Sequence, residues 1–302
     1  MRFQLGKEIA QRIGVVLDTF VDDQNRKYQW ARFESMRQLQ EAVDKGVNEN
    51  IFDPLRIKSN GLDGSQDRSK WMFGTEFPTL NLTREAMIYG LSSENVIKQV
   101  SEIRDLILNI DEIKEIQYRA RTKKKRKVYS ESGSELDIDR VLCGDPQHWQ
   151  STTPGKEDNV IRIGFNMTIS AAQNEKQFYR LCAYGIVLCE LAEQAGYNVE
   201  LNWFYISQHP SSTLERGGLV VKVKDATQPL DINQVCSCGI PGTLRAFGFG
   251  IISQVLDGRI NAGLGQCKKL NDSGIKFLGM NAIINCEHSA NEMELILNNL
   301  LK

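Results

Sequence analysis

Apolar positions along the first 43 residues fall close to a helical stripe. Phe3, Leu5, Ile9, Ile13, Val16, Leu17 and Phe20 recur at spacings of two to four, and Tyr28, Ala31, Met36, Leu39 and Val43 continue the stripe less regularly. This predicts a helical start. Between Asn48 and Leu80 the period fades among Gly, Pro and Asp, which predicts irregular structure with short elements. Helical spacing returns from Thr83 to Ile110, interrupted near Gly90 to Ser93, with Val96, Val100, Ile103 and Leu106 on one side.

The C-terminal half carries a different rhythm. Val160 to Phe165 alternates as a strand, and Phe178, Leu181, Cys182, Gly185, Leu188, Cys189 and Ala192 then form a helical face. Ser170 and Gln173 fit a capping box before that helix, and Gly196 fits the left-handed residue past its end. Val199 to Ile206 follows as a second strand. Short connections between strand, helix and strand normally place the two strands parallel. Leu219, Val221 and Val223 alternate with Val220, Lys222 and Lys224, the pattern of an edge or antiparallel strand with one wet face, reached through a loop from Ser207 to Gly218. Pro241 to Leu256 reads as a helix loosened by Gly248 and Gly250, and Ile275 to Ile284 as a strand with Gly279 inside. Ser289 and Glu292 cap a last helix carrying Met293, Ile296, Leu297, Leu300 and Leu301.

The fold class expected is therefore α/β: a C-terminal open, mainly parallel sheet flanked by helices, of von Willebrand factor A or Rossmann-like type, with a mostly helical N-terminal region. The organisation read from these patterns is a helical, partly irregular region over 1–115, a charged hairpin or linker over 116–158, and the α/β domain over 159–302.

Composition adds constraints. Apolar residues make up 41% and charged residues 25% of 302, globular values that argue against disorder. No apolar run approaches the roughly 18 residues of a bilayer span, and the first 20 residues do not read as a secretory leader, so no membrane partner is expected and a cytoplasmic location is. Seven cysteines, an odd number from Cys143 to Cys286, read as reduced thiols. Lys and Arg number 37 against 38 Asp and Glu, so any affinity for polyanions has to be local.

That local charge exists. Arg119, Arg121, Lys123, Lys124, Lys125, Arg126 and Lys127 place seven cations in nine residues, beside Tyr118 and Tyr129. Such a run offers salt-sensitive, largely sequence-independent phosphate contacts. The bland alternative is a solvated hairpin pairing with Glu131, Glu135, Asp137 and Asp139. Glu135, Asp137 and Asp139 at period two would share one face of a strand, a candidate metal-dependent nuclease centre, although no base sits at a diagnostic spacing.

A second candidate lies at the turn after the first C-terminal strand, where ligands gather in α/β sheets. Asn166, Thr168 and Ser170 in N-M-T-I-S, with the order of elements from Val160 to Asp225, resemble the von Willebrand factor A family. There a D-x-S-x-S turn holds a divalent cation such as Mg²⁺. The resemblance implies Asn166, Thr168 and Ser170 as ligands; Asp225, just after the third strand, supplies the carboxylate that Asn166 lacks only if the fold brings it near. The alternative is a helix N-cap with turn amides satisfied by Asn166 and Thr168, and no cofactor. Cys236-x-Cys238, Cys267 and Cys286-x-His288 lack the spacing of a zinc knuckle and read as core thiols.

Trp71-x-Phe-Gly-Thr75, the acidic stretch from Gly133 to Trp149, and the α/β half together resemble uncharacterised proteins encoded by tailed bacteriophages. That resemblance implies a viral accessory or virion component and no known activity. The expected function is non-enzymatic binding or assembly through protein contacts, by a protein partner or self-assembly, at the Asn166 to Ser170 end. The alternative is a nucleic-acid-binding protein using Arg119 to Lys127.

Overall fold

The computed structural model describes residues 2–22, 25–51, 68–108, 127–130, 135–152, 160–169, 175–208, 215–256, 270, 272–285, 295–296 and 299. The chain opens with helix α1 (Arg2–Ile13). Gly14, at φ 79°, ends it, and the Val15 N–H reaches back to the Ala10 carbonyl at 2.8 Å. That is a left-handed glycine closing a helix, and the apolar stripe that follows is no longer helical. Val16–Val21 form β1 and Lys27–Phe33 form β2, an antiparallel hairpin. The helix expected through Phe20 therefore stops about two turns earlier, at Ile13.

Among the described residues the helices that follow are α2 (Met36–Asn48), α3 (Arg68–Phe73), α4 (Leu80–Tyr89) and α5 (Glu94–Leu108). Ser35 caps α2 and Thr79 caps α4 through side-chain oxygens, and Gly90 at φ 66° ends α4. Val96, Val100 and Ile103 are buried as their spacing predicted, whereas Leu106 is 60% exposed.

A small antiparallel sheet comes next, with β3 (Lys127–Ser130), β4 (Glu135–Leu136) and β5 (Trp149–Thr152) in the order β3-β5-β4. Helix α6 (Ile138–Leu142) bridges β4 and β5.

The main sheet contains β6 (Val160–Asn166), β7 (Asn198–Gln208), β8 (Glu215–Lys224) and β9 (Ala282–Asn285) together with β1 and β2. Its order is β1-β2-β8-β7-β6-β9. β6 is parallel to β7 and β9, β2 is parallel to β8, and β7 is antiparallel to β8. The sheet is thus mixed, and the class is α/β as expected. The division at 115 and 158 does not follow it, because two of the six strands come from the first 33 residues. β8, expected as an edge or antiparallel strand, is antiparallel to β7 and interior.

Helix α7 (Glu175–Gln194) makes the crossover from β6 to β7 and is buried along most of its length. Further helices are α8 (Ile232–Cys238), a π-helical turn (Thr243–Gly248) running into α9 (Phe249–Val255), and α10 (Asp272–Leu278). The strand expected over Ile275 to Ile284 is instead the end of α10, a left-handed Gly279 at φ 68°, and β9. The helix read after Ser289 falls almost wholly outside the described residues.

The two sheet faces differ. Ile161, Ile163, Phe165, Leu201, Trp203, Tyr205, Leu219 and Val221 join α7, α8 and α9 in the main core. On the other face Tyr28, Trp30, Phe204, Ile206 and Val220 pack beneath Leu278 and Met280. Gly164 makes room there: a Cβ on it would lie 2.9 Å from the Phe204 ring.

Candidate functional site

The turn at the carboxyl end of β6 is closed upon itself. Asn166 is 3% and Thr168 2% exposed. Asn166 Oδ1 accepts the Thr168 N–H at 3.1 Å, its Nδ2 donates to Asn285 Oδ1 at 2.8 Å, and Thr168 Oγ1 accepts the Ile206 N–H at 2.9 Å. These side chains satisfy turn and strand amides that would otherwise be buried without partners. Ser170 lies outside the described residues.

Asp225 is not at this end. Phe204 pairs with both Asn166 and Val220, while Lys224, the residue before Asp225, pairs with Leu201. Asp225 therefore sits near the level of Glu200, about 13 Å away along the strands. Its Oδ1 accepts the Thr227 N–H at 3.0 Å and hydroxyl at 2.8 Å, bonds that, with Lys222, hold its carboxyl below the usual range. The cation set of Asn166, Thr168 and Asp225 is not assembled, and among the described residues no group of three His, Cys, Asp or Glu is placed to hold a metal.

Two residues of β8 stand where β7 has one, between Leu201–Lys224 and Asn202–Lys222. This bulge divides the expected wet face. Lys224 turns to the helix side, where its ammonium is buried, 2.7 Å from Glu193 Oε1 and 2.7 Å from the Val199 carbonyl. Lys222 stays on the opposite side beside a polar recess of about 200 Å³ lined by Arg32, Glu34, Arg162, Glu200 and Asn202. The cations there are each matched: Lys222 to Glu34 at 2.7 Å, Arg32 to Asp18 at 2.8 Å, Arg162 to Glu200 at 3.6 Å. Such matching neutralises the recess rather than preparing it for one sign of ligand.

Of the basic run, 119–126 lies outside the described residues, and Lys127 opens β3. The three acids expected on one strand face are separated: Glu135 is in β4, Asp137 caps α6 by accepting the Arg140 N–H at 3.2 Å, and Asp139 lies in the first turn of α6. Cys182, Cys189, Cys236 and Cys238 are buried, and burial raises each thiol, Cys236 to about 11. They are core thiols, too protonated near neutrality to act as nucleophiles. Cys267, Cys286 and His288 fall outside the described residues.

Trp71-x-Phe-Gly-Thr75 leads into a clasp. Glu175 accepts the Thr75 N–H and hydroxyl, each at 2.7 Å, and the Tyr179 hydroxyl at 3.0 Å. The next residue, Glu76, accepts from Ser93 Oγ and the Glu94 N–H, each at 2.6 Å. One short turn thereby holds the N-termini of α5 and α7 together. Arg245, buried in the π-helical turn with its guanidinium 5.0 Å from the Phe178 ring, has a pKa lowered to about 10 by burial.

The loop joining β4 to β5 is built the other way round from the core. Arg140 donates to Asp145 at 2.9 Å and to the Gln147 carbonyl, Asp145 accepts the Gln147 N–H at 2.9 Å, and the Asp137 N–H donates to the His148 carbonyl at 2.8 Å. Its polar groups bond to one another. Its apolar groups face water: Leu136 47%, Ile138 65%, Val141 41% and Leu142 80% exposed. Ile138, Val141 and Leu142 stand at i, i+3 and i+4, one face of α6. Several large apolar side chains presented together to solvent form the kind of patch found at contact surfaces. Sequence reasoning read this stretch through its acids and missed the apolar residues between them. Their helical spacing was the available signal, too short over five residues to register.

Against known proteins, one family model matches, over residues 21–300. The chain belongs to that family, described as a domain of unknown function (DUF7192). The match runs from the end of β1 past β9, so it takes in strands from both ends of the chain. No curated protein and no solved structure matches.

Proposed function

We propose that the chain is a non-enzymatic binding or assembly protein acting through protein contacts, and that the face of Ile138, Val141 and Leu142 makes them. The observation that carries this is the reversed loop, apolar outside and hydrogen-bonded within. Moving the contact surface away from the Asn166 to Ser170 end follows from the burial of Asn166 and Thr168. Asp137 and Asp139 lie at the start of α6 beside the apolar face, so the complementary partner offers an apolar groove with a basic side chain at that end. The parallel β6–α7–β7 unit beside an antiparallel β8 supports the finer reading of a von Willebrand factor A-like domain whose cation turn has become structural. Its resemblance to tailed-phage proteins supports a viral accessory or virion role, in host cytoplasm or particle.

The test is co-purification from the native source with the parent chain, Ile138→Ser/Leu142→Ser, and the conservative Ile138→Leu/Leu142→Met. One partner held by the first and third and lost by the second is expected. Retention by the serine variant, or robust turnover of nucleotides or nucleic acid by purified protein, would end this reading.

The second reading is nucleic-acid binding through Arg119 to Lys127, motivated by local charge density on a chain of net charge −1. Binding that falls steeply with salt and is lost on replacing Lys123, Lys124, Lys125 and Arg126 by Ala would favour it.

A further inference from the structure

An exposed strand at a sheet edge is normally guarded by lysine, proline or a bulge, because its free amides template pairing with another strand. β1 is such an edge, and its sequence Val-Leu-Asp-Thr-Phe-Val carries no lysine, proline or bulge; its one charge, Asp18, is paired with Arg32. None of its six residues is buried, and Val16 and Val21 are 56% and 58% exposed.

The direction of its free groups follows from the hairpin. The Asp22 N–H donates to the Arg26 carbonyl at 3.0 Å, extending the register that pairs Phe20 with Tyr28 and Asp18 with Trp30. In an antiparallel ladder such hydrogen-bonded pairs alternate with unbonded ones. Asp18 and Phe20 therefore spend their backbone groups on β2, and Leu17, Thr19 and Val21 direct theirs outward. Among the described residues those outward groups make no hydrogen bond.

We propose that this edge is a self-pairing interface: β1 of one copy joins β1 of a second copy, antiparallel, about a twofold axis through Thr19. The axis, perpendicular to the sheet, keeps every side chain on its own face. Thr19 then faces Thr19 and Leu17 faces Val21 of the second copy, which makes every outward-directed residue part of a bonded pair. Opposite side chains match as well. Leu17 and Val21 are both apolar, the threonines exchange hydroxyl contacts, and Asp18, already paired with Arg32 at 2.8 Å, stands across from Phe20 rather than from another carboxylate. The neighbouring register, centred on Asp18, would oppose two carboxylates. A net charge of −1 sets no long-range repulsion against the dimer. The product is one continuous twelve-stranded sheet formed from two six-stranded ones. The inference is independent of the Ile138–Leu142 surface.

The experiment is sedimentation of the full chain over a concentration series, with Thr19→Pro beside it. The Thr19 N–H points away from β2, so proline leaves the intramolecular ladder intact. Expected are a parent mass rising to twice the chain mass, and a Thr19→Pro variant that stays at once the chain mass with unchanged circular dichroism. If proline perturbs the fold, Thr19→Lys carries the same comparison by setting two ammonium groups face to face. Cross-linking fixes the register: Thr19→Cys should form an inter-chain disulfide on oxidation above the parent's background, and Val21→Cys, facing Leu17, should not. A parent chain that remains monomeric, a dimer that survives both Thr19 variants, or cross-linking through Val21→Cys in place of Thr19→Cys would overturn the proposal. Partner loss in the Ile138/Leu142 variant with dimerisation unchanged would separate the two interfaces.

Discussion

Glu175 occupies the space that a side chain on Gly74 would need: a Cβ built there lies 2.4 Å from Glu175 Oε2 and 3.2 Å from Pro241 Cγ. The carboxylate could swing aside only by releasing Thr75 and Tyr179. Gly74 also has φ 77°, where an L residue is strained. Gly74→Ala should lower the free energy of unfolding by about 2 kcal/mol or more, read by urea denaturation.

Gly218 presents a harder case. A Cβ there would sit 2.0 Å from the Tyr205 carbonyl oxygen and 2.8 Å from the Trp30 ring, and the first of these is backbone of the neighbouring strand. Gly218→Ala should cost about 3 kcal/mol or more and shift the product toward insoluble material, measured as soluble yield and thermal midpoint.

The Lys224 ammonium holds the Val199 carbonyl and Glu193 together across the end of β7. Lys224→Met keeps the aliphatic stem but removes the donor. A loss of about 1–3 kcal/mol is expected by chemical denaturation.

The buried thiols set an alkaline limit. A cysteine whose folded pKa is raised keeps its proton in the fold after the unfolded chain has lost it, so its stabilising contribution is complete below about pH 9 and falls as pH rises beyond. For Cys236 the decline runs from 9 to about 11, and for Cys182, Cys189 and Cys238 it continues higher. Unfolding midpoints recorded from pH 7 upward should fall from about pH 9, and Cys236→Ser/Cys238→Ala should soften that fall. Among the described cysteines, Cys143, which is exposed, should be the one alkylated in the native state.

Ile138→Ser and Leu142→Ser should leave stability within about 0.5 kcal/mol, because neither side chain is packed in the core. A large loss of stability in either would mean that the face is structural.

Helix ends show what the sequence disclosed and what it hid. The same closure, a left-handed glycine followed by an N–H reaching back five residues, ends α1 at Gly14, α6 at Gly144, α7 at Gly196 and α10 at Gly279. At Gly196 the glycine followed a long helical stripe and preceded an obvious strand, so the end was legible. At Gly14 the apolar spacing ran on through Val16, Leu17 and Phe20, and at Gly279 large apolar residues stood on both sides, so periodicity overrode the stop signal. β2 escaped for another reason: Tyr28, Gln29, Trp30 and Ala31 are all buried, and a strand covered on both faces does not alternate. The β6–α7–β7 unit was readable because one chain segment contains all of it. The place of Asp225 was not, because it depends on β8 running antiparallel to β7 with a bulge.

The parallel pairing of β2 with β8 joins segments about 190 residues apart. During synthesis the hairpin of β1 and β2 therefore emerges long before its neighbour, with Phe20, Tyr28 and Trp30 still awaiting the strands and helix that bury them. A ribosome-bound chain has to hold these aromatics uncovered until β8 and α10 have emerged. Completion of the sheet accordingly waits for β8 and β9, and a product truncated before them cannot reach it.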